Sequence, residues 1–236
     1  MTGKTFSSDP HVGKLVEKQM RNWEIARAQQ VDKSAPCRPE VQHFISMSNA
    51  VGAGGNDIAA LLSDKLHWPV FDKGILLAMA NDDEVRARLY RSMDERDLGW
   101  LEEMLRWLTQ EEFRKNDYFR RLTETVLCLA RQHHAIFLGR AADLILPRNR
   151  GLRVKIVASP EYRIAKFARD SQISLDEARA AVERIEHERA DFIRHHFPHN
   201  PGEHQRFDLI INTERFSTHQ AAELILAAMR LRSILP

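Results

Sequence analysis

The apolar positions of this chain fall into short continuous runs, separated by longer segments in which apolar residues recur at helical spacing. The runs cover residues 44–47, 68–72, 135–138, 153–158 and 207–212. Runs of this length are typical of buried parallel strands, and the spacing between them is typical of helices. Five strands that alternate with helices predict an α/β fold, in which a five-stranded parallel sheet is flanked by helices as a three-layer structure.

The predicted helices differ in the clarity of their signals. Ser174 with Glu177 three residues later forms a capping box, and Pro160 follows Ser159 as a good helix start. The predicted helical segments are the stretch after residue 55 and residues 73–115, 118–132, 160–170, 174–195 and 218–231. Most of the charges in 73–115 are expected on a solvated face.

The first forty residues form a separate segment. Apolar positions between His11 and about Gln30 predict a helix, and the two prolines of residues 31–40 are typical of a linker. We therefore expect a helical extension and linker over 1–40 ahead of one domain over 41–236. The extension packs back onto the domain or onto a second subunit, which makes its helix a candidate contact in a homo-oligomer.

A glycine-rich turn, Gly52-Ala53-Gly54-Gly55, joins the first strand to the first helix of the domain. Glycines allow backbone N–H groups to approach a ligand, and a helix start offers unpaired donors at its positive end. This arrangement suits a polyphosphate. The loop is not a full Walker A motif, because Gly55 stands at the lysine position, with Asn56 and Asp57 after it. A simple tight turn is an equally weighted alternative.

Composition limits the classes of partner. The net charge of +2 gives no general argument for binding nucleic acid or membranes. Cys37 and Cys128 cannot make a disulfide framework, and no apolar run is long enough to span a bilayer. We therefore expect a cytoplasmic protein with a small-molecule ligand. In parallel sheets that ligand lies at the carboxyl ends of the strands, where Asp72, Gly139-Arg140 and Ala158-Ser159 join the glycine loop.

Seven segments, taken in order, resemble the cytidylate kinase-like family of P-loop proteins, relatives of the nucleoside monophosphate kinases. They are ISMSNAVGAGGNDIA, VFDKGIL, SMDERDLGWLEE, AIFLGRAADLIL, VKIVASPEYRIAKF, ERIEHERADFIRHHF and FDLIINTERFS. The resemblance covers about residues 43–232. It implies a nucleoside-monophosphate-kinase-like P-loop fold with a helical nucleotide-acceptor region over 72–132 and a lid over about 163–206. It also implies ATP and Mg²⁺ as cofactors.

The glycine loop departs from the pattern of that family. Ser48 and the three glycines remain, but Asn49 and Asn56 stand in place of arginines, Ala50 in place of an acid and Ala53 in place of a serine. The loop therefore has no cation of its own. Its amide donors still allow phosphate binding.

The resemblance also implies roles for individual residues. Arg140, Arg163 and Arg189 are candidate catalytic residues, because planar guanidinium groups match phosphate oxygens. The candidate ATP-binding residues are Ser48, Gly52, Ala53, Gly54, Gly55, Asn56 and Asp57. The candidate acceptor-binding residues are Asp72, Lys73, Arg140 and Arg184. Mg²⁺ is expected to bridge the donor phosphates mostly through water, with Asp57 and Asp143 as candidate further contacts and no dedicated metal ligands.

Each role has a structural alternative. Arg140 could pair with Asp143, Asp72 could cap the next helix, and Glu186 could pair with Arg189. The histidines at 195, 196, 199 and 204 lack the spacing of a zinc site and are expected on the surface of a loop.

Three functions follow from these residues. The first is transfer of a phosphoryl group from ATP to a small acceptor, with a nucleoside monophosphate such as CMP as the leading one. The second is a nucleotide-binding sensor or pseudokinase without turnover, which the depleted loop favours. The third is a kinase of a non-nucleotide metabolite.

Overall fold

The computed structural model describes residues 12–18, 20–21, 41–91, 93, 95–108, 117–197 and 203–235. Residues 12–18 and 20–21 are helical, and Met20 is fully buried. The remainder of the predicted N-terminal helix, and the linker, lie outside the described residues. No helix among the described residues is long and apolar enough to cross a lipid bilayer.

The predicted five-stranded sheet is confirmed, and its strand order is β2-β3-β1-β4-β5. The strands are β1 (Phe44–Asn49), β2 (Val70–Phe71), β3 (Ala135–Leu138), β4 (Gly151–Val157) and β5 (Leu209–Asn212). Strands β4 and β5 are parallel, with Val154 opposite Leu209. Strand β2 is shorter than predicted, because Pro69 has no amide hydrogen and Asp72 caps the following helix.

The helices of the domain connect these strands. They are α1 (Gly55–Leu66), α2 (Lys73–Asn81), α3 (Asp83–Arg91), α4 (Glu95–Leu108), α5 (Asp117–Gln132), α6 (Ala142–Ile145), α7 (Pro160–Ser171), α8 (Leu175–His196), α9 (Glu203–Arg206) and α10 (Thr218–Leu231). The capping box of Ser174 and Glu177 is present at the start of α8, as predicted.

The single helical run predicted over 73–115 is wrong in its continuity, since three helices occupy its described part. Asp82 separates the first two. Its backbone is extended, and its side chain accepts hydrogen bonds from the amides of Glu84 and Val85 at the start of α3. Residues 109–116 lie outside the described part of the chain.

The chain divides into two compact units. The helical unit comprises 71–135, 145–150 and the residues before Ile45, and therefore contains α2 to α5. The sheet unit comprises Ile45–Val70, Ile136–Leu144 and Gly151–Pro236. The predicted acceptor region, 72–132, falls within the helical unit.

Two apolar clusters fix the architecture of the sheet unit. The larger joins the inner faces of the strands to α1 and α10, through residues such as Ile45, Ile58 and Ile225. The smaller joins Val51, in the glycine loop that spans residues 50–55 from the end of β1 to the first residue of α1, to Ile164 of α7 and Val182 of α8. The loop is thereby packed against both helices, which positions their polar side chains around it.

Candidate active site

The glycine loop begins where β1 ends and α1 starts. Gly52 and Gly54 adopt left-handed conformations, with φ of 80° and 78°. A Cβ atom on Gly52 would lie 2.2 Å from the backbone oxygen of Arg163 in α7, so only glycine fits there. Gly54 is the N-cap of α1 and provides no side-chain cap. The first turn of α1 is therefore open to an external acceptor.

Hydrogen bonds to its carbonyl oxygens hold the loop in place, while several of its backbone amides have no hydrogen-bond acceptor among the described residues. Ala53 donates its amide to the oxygen of Ala50, and the Thr213 hydroxyl donates to the oxygen of Ala53 at 2.9 Å. Five other amides have no hydrogen-bond acceptor among the described residues. They are the amides of Gly52, Gly54, Gly55, Asn56 and Asp57. Open amides at the start of a helix suit a phosphate group.

Arg163 joins the loop to the neighbouring helices. Its buried guanidinium donates to the carbonyl oxygens of Ala158, at 3.2 Å, and Val51, at 3.3 Å. It also pairs with the carboxylate of Glu186 in α8 at 2.5 Å. The same carboxylate accepts a hydrogen bond from the amide of Val51 at 3.4 Å. Arg163, predicted as a catalytic residue, is thus engaged with protein acceptors on three sides.

Arg189 in α8 contacts the end of β1. Its guanidinium donates to the oxygen of Asn49, at the end of β1, at a distance of 2.7 Å. Although much of the residue is exposed, loss of hydration at its guanidinium lowers its pKa; the charge of Arg140 acts in the same direction, and Glu186 opposes both. The predicted alternative, a pair between Glu186 and Arg189, is wrong, because Glu186 pairs with Arg163 instead.

Arg140 follows β3 on an unusual backbone. Gly139, Arg140 and Ala141 have consecutive positive φ values of 81°, 53° and 54°, which is strained for the two residues that carry a Cβ. The Arg140 guanidinium lies 5.5 Å from the ring centroid of Phe192 in α8. Its buried Nε has no hydrogen-bond acceptor, and no carboxylate among the described residues pairs with it.

The alternative partner for Arg140 is already occupied. Asp143 is buried and pairs with Arg206 of α9 at 2.7 Å. The predicted alternative, a pair between Arg140 and Asp143, is therefore wrong. A cation that is held on a strained turn beside a second arginine, without a carboxylate, is available for an anionic ligand.

The other candidate residues have more ordinary surroundings. In the sheet unit, Arg184 is largely exposed and pairs with Glu188 at 3.2 Å. In the helical unit, Asp72 caps α2 by accepting from the amide of Ile75 at 2.8 Å, and Lys73 is exposed. The capping alternative for Asp72 is thus what the structure shows. Acceptor binding by Asp72, Lys73 and Arg184 stays a prediction.

Two loop contacts were missed by sequence reasoning. Lys166 in α7 lies 3.4 Å from the carboxylate of Asp57, and Thr213 holds the loop from the end of β5. Lys166 could have been found, because it lies three residues after Arg163 and so shares a helix face with it. Thr213 gave no signal, since its partner Ala53 is 160 residues away in the sequence.

The expectation of surface histidines is wrong for His196. Its ring is buried at the end of α8 and packs against Phe192, and burial lowers its pKa to about 4, with a smaller effect from His195. Within the part of the chain that the structure describes, no group of three or more histidine, cysteine or acidic residues could hold a metal ion.

A parallel sheet, a glycine loop that opens the first helix, and arginines from the neighbouring segments define a P-loop protein of the kinase class. The sequence agrees, since the model of the cytidylate kinase-like family matches residues 44–215. The chain belongs to this family, and the predicted resemblance is confirmed. No curated protein matches the chain.

Solved structures also resemble the chain. An uncharacterised protein from Eubacterium ventriosum is 16% identical, with a TM-score of 0.65 over 80% of this chain and 99% of that one. A shikimate kinase from Acinetobacter baumannii, solved with shikimate, is 16% identical with a TM-score of 0.42 over 81% of this chain and 95% of that one. A dephospho-CoA kinase from Campylobacter jejuni is 14% identical with a TM-score of 0.37, over 82% and 98%. The similarity to the Eubacterium protein supports the fold.

Proposed function

We propose that this chain binds ATP with Mg²⁺ through the glycine loop and transfers a phosphoryl group to a small acceptor. A nucleoside monophosphate is the leading acceptor, and CMP is its first candidate because of the family. The setting we propose is the cytoplasm.

One observation carries this proposal: Arg189 contacts the end of β1, directly before a loop several of whose amides lack acceptors among the described residues, and Arg140 lies near Arg189. Arg189 contacts the oxygen of Asn49, and Arg140 is close enough to Arg189 to affect its pKa. Phosphoryl transfer depends on positioning and on positive charge around the migrating group. Two guanidinium groups beside open backbone donors provide both. Their mutual repulsion is relieved when an anion lies between them.

The donor set fits ATP better than it fits a protein-bound metal. The five open amides of the loop and the start of α1 suit the phosphates of ATP. Asp143 is engaged in a buried pair with Arg206 and does not stand free to hold Mg²⁺, while Asp57 contacts Lys166 in the structure without ligand. We therefore expect Mg²⁺ to be held by phosphate oxygens and water, where it would neutralise charge on the transferred group.

A sensor without turnover is the second candidate, and a specific contact favours it. The carboxylate of Glu186 already accepts a hydrogen bond from the loop amide of Val51. An internal anion at this position competes with nucleotide. Together with the absence of lysine and arginine from the loop, this supports weak catalysis. A kinase of a non-nucleotide metabolite would use the same loop with another acceptor.

A thermal-shift titration tests the proposal. ATP with Mg²⁺ at a hundred times its dissociation constant should stabilise the protein by about 2.7 kcal/mol, which corresponds to a rise of a few degrees in melting temperature. Adenosine, which lacks phosphates, should give no comparable shift. The absence of a shift with every nucleotide would contradict the proposal.

An assay for ADP then separates the candidates. CMP-dependent release of ADP would identify a nucleoside monophosphate kinase. A shift with ATP but no CMP-dependent ADP would instead support the sensor, or a kinase with another acceptor, which a panel of small alcohols and phosphates would distinguish.

A further inference from the structure

The glycine loop lacks the positive charge that a bound triphosphate needs. Between Val41 and Asp64, which includes β1, the loop and most of α1, the sequence contains neither lysine nor arginine. Amides and the helix dipole favour an anion, but their partial charges fall short of the several negative charges of ATP. If the loop binds ATP with Mg²⁺, any protein side chain that adds positive charge must come from outside the loop.

Helix α7 lies against the loop and presents two cations to it. The backbone oxygen of Arg163 occupies the space next to Gly52. Three residues later, the Cε atom of Lys166 lies 3.5 Å from the position that a Cβ on Gly54 would occupy. The Lys166 ammonium lies 3.4 Å from Asp57 in the first turn of α1. Lys166 is thus at the end of α1 where the open amides are.

Arg163 and Lys166 differ in the protein groups to which they are already bound. The Arg163 guanidinium is fixed by two backbone carbonyls and by Glu186, and its removal from them would leave buried groups unpaired. Among the described residues, the ion-pair partners of the Lys166 ammonium are the carboxylates of Asp57 and, at 2.8 Å, Asp170 one turn along α7. Both acids are about half exposed and can return to water at little cost. Lys166 is therefore the cation that can change partners.

We infer that Lys166 supplies from α7 the cation that the glycine loop lacks, and contacts the terminal phosphates of bound ATP. This inference rests on the proposed function and goes beyond it by assigning a residue outside the loop. On binding, the ammonium exchanges its contact with Asp57 for a phosphate oxygen. No proton moves in this exchange. The ammonium is charged at neutral pH, since hydrogen bonding to Asp170 raises the pKa of Lys166.

The inference also gives Asp57 a definite role. Its carboxylate holds Lys166 while the loop is empty, and competes with phosphate for it. Asp57 is therefore a charge partner for Lys166 and a competitor of the ligand. A magnesium ligand at the same position would have the opposite effect on affinity, which makes the two roles distinguishable.

Direct binding of a fluorescent ATP analogue, measured with and without Mg²⁺, tests this assignment. Loss of a charged hydrogen bond in Lys166→Ala should weaken binding about tenfold to a hundredfold. Lys166→Arg should restore most of the affinity. Lys65→Ala is the matched control, because Lys65 also pairs with a carboxylate but lies in the last turn of α1; its affinity should equal that of the wild type. The melting temperature of each variant without ligand shows whether it is folded.

Each outcome decides between named alternatives. If the wild type does not bind the analogue, the proposed function fails. If the wild type binds and Lys166→Ala binds equally well, only the role of Lys166 is overturned. Asp57→Asn should raise the affinity for ATP two- to tenfold in the absence of Mg²⁺. A fall in affinity that occurs only with Mg²⁺ would assign Asp57 to the metal and overturn the exchange with Lys166.

Discussion

Arginines of the helical unit and of the sheet unit differ in whether a carboxylate pairs with them. In the helical unit, the buried carboxylates of Glu124 and Asp97 pair with Arg86 and Arg131. In the sheet unit, Arg140 has no carboxylate among the described residues, although the buried pair of Arg206 and Asp143 shows that this unit can also match its charges.

The contrast separates structural charge from charge that is available to a ligand. A buried ion pair that loses one partner leaves an uncompensated charge, so each member is required for stability. A cation without a partner adds little to stability, and its desolvation and strain are tolerated where a ligand will complete it. We therefore propose Arg140 as a ligand-binding residue, whereas Arg86 and Arg131 belong to buried ion pairs of the helical unit.

The largest effect, a loss of stability, is expected when a buried ion pair of the helical unit loses one member. Glu124→Ala should lower the free energy of unfolding by about 3–5 kcal/mol, because it leaves Arg86 without its buried partner. Urea denaturation measures this change. Glu223→Ala is the control, since Glu223 pairs with Lys65 on the surface and its loss should cost less than about 1 kcal/mol. Equal losses in the two variants would contradict the contrast.

The next largest effect, a loss of turnover, is expected from removal of Arg140, which has no carboxylate partner among the described residues. Arg140→Ala should reduce turnover about tenfold to a thousandfold, since it removes a group aimed at developing charge. Its unfolding free energy should stay within about 1 kcal/mol of the wild type. Steady-state release of ADP and urea denaturation measure the two quantities.

Arg230→Ala, which removes an exposed arginine at the end of α10, is the matched control for Arg140→Ala and should change neither quantity. Unchanged kinetics in Arg140→Ala would remove Arg140 from the site. A large loss of stability instead would place Arg140 with the structural arginines.

The smallest effect is expected from the one carboxylate that contacts the glycine loop among the described residues. Glu186→Gln removes an internal anion from the Val51 amide and should raise the affinity for ATP about two- to tenfold. Isothermal titration calorimetry measures the affinity. Glu183→Gln, one turn earlier on the exposed face of α8, should bind as the wild type does. A loss of affinity in Glu186→Gln would mean that Glu186 shapes the loop through Arg163.

Local sequence signals predicted the elements of this fold well. The last helix begins and ends where its periodicity indicated, at Thr218 and Leu231, and the capping box of α8 is present. These features depend on residues within one or two turns of each other. The order of the segments along the chain was sufficient to identify the family.

The side-chain partners at the site were less predictable. Arg163 and Val51 are 112 residues apart in the sequence, and Asp143 pairs with Arg206 although Arg140 is much closer to it in the sequence. Such pairs depend on the angles at which helices cross the sheet and on rotamers, neither of which periodicity specifies. The sequence therefore predicted arginines for the site. It could not distinguish Arg163, whose guanidinium is held by protein acceptors, from Arg140, which has no carboxylate partner among the described residues.

The close approach of Gly52 to Arg163 has a consequence for protein engineering. Because any side chain at Gly52 would collide with the backbone of α7, the loop cannot be exchanged for a lysine-containing one of different shape while α7 stays in place. A transplanted loop would displace the helix that carries both Arg163 and Lys166. The transferable module is therefore the loop together with α7, so a chimera that joins them from one parent should retain the nucleotide binding proposed above, and a chimera that divides them should lose it.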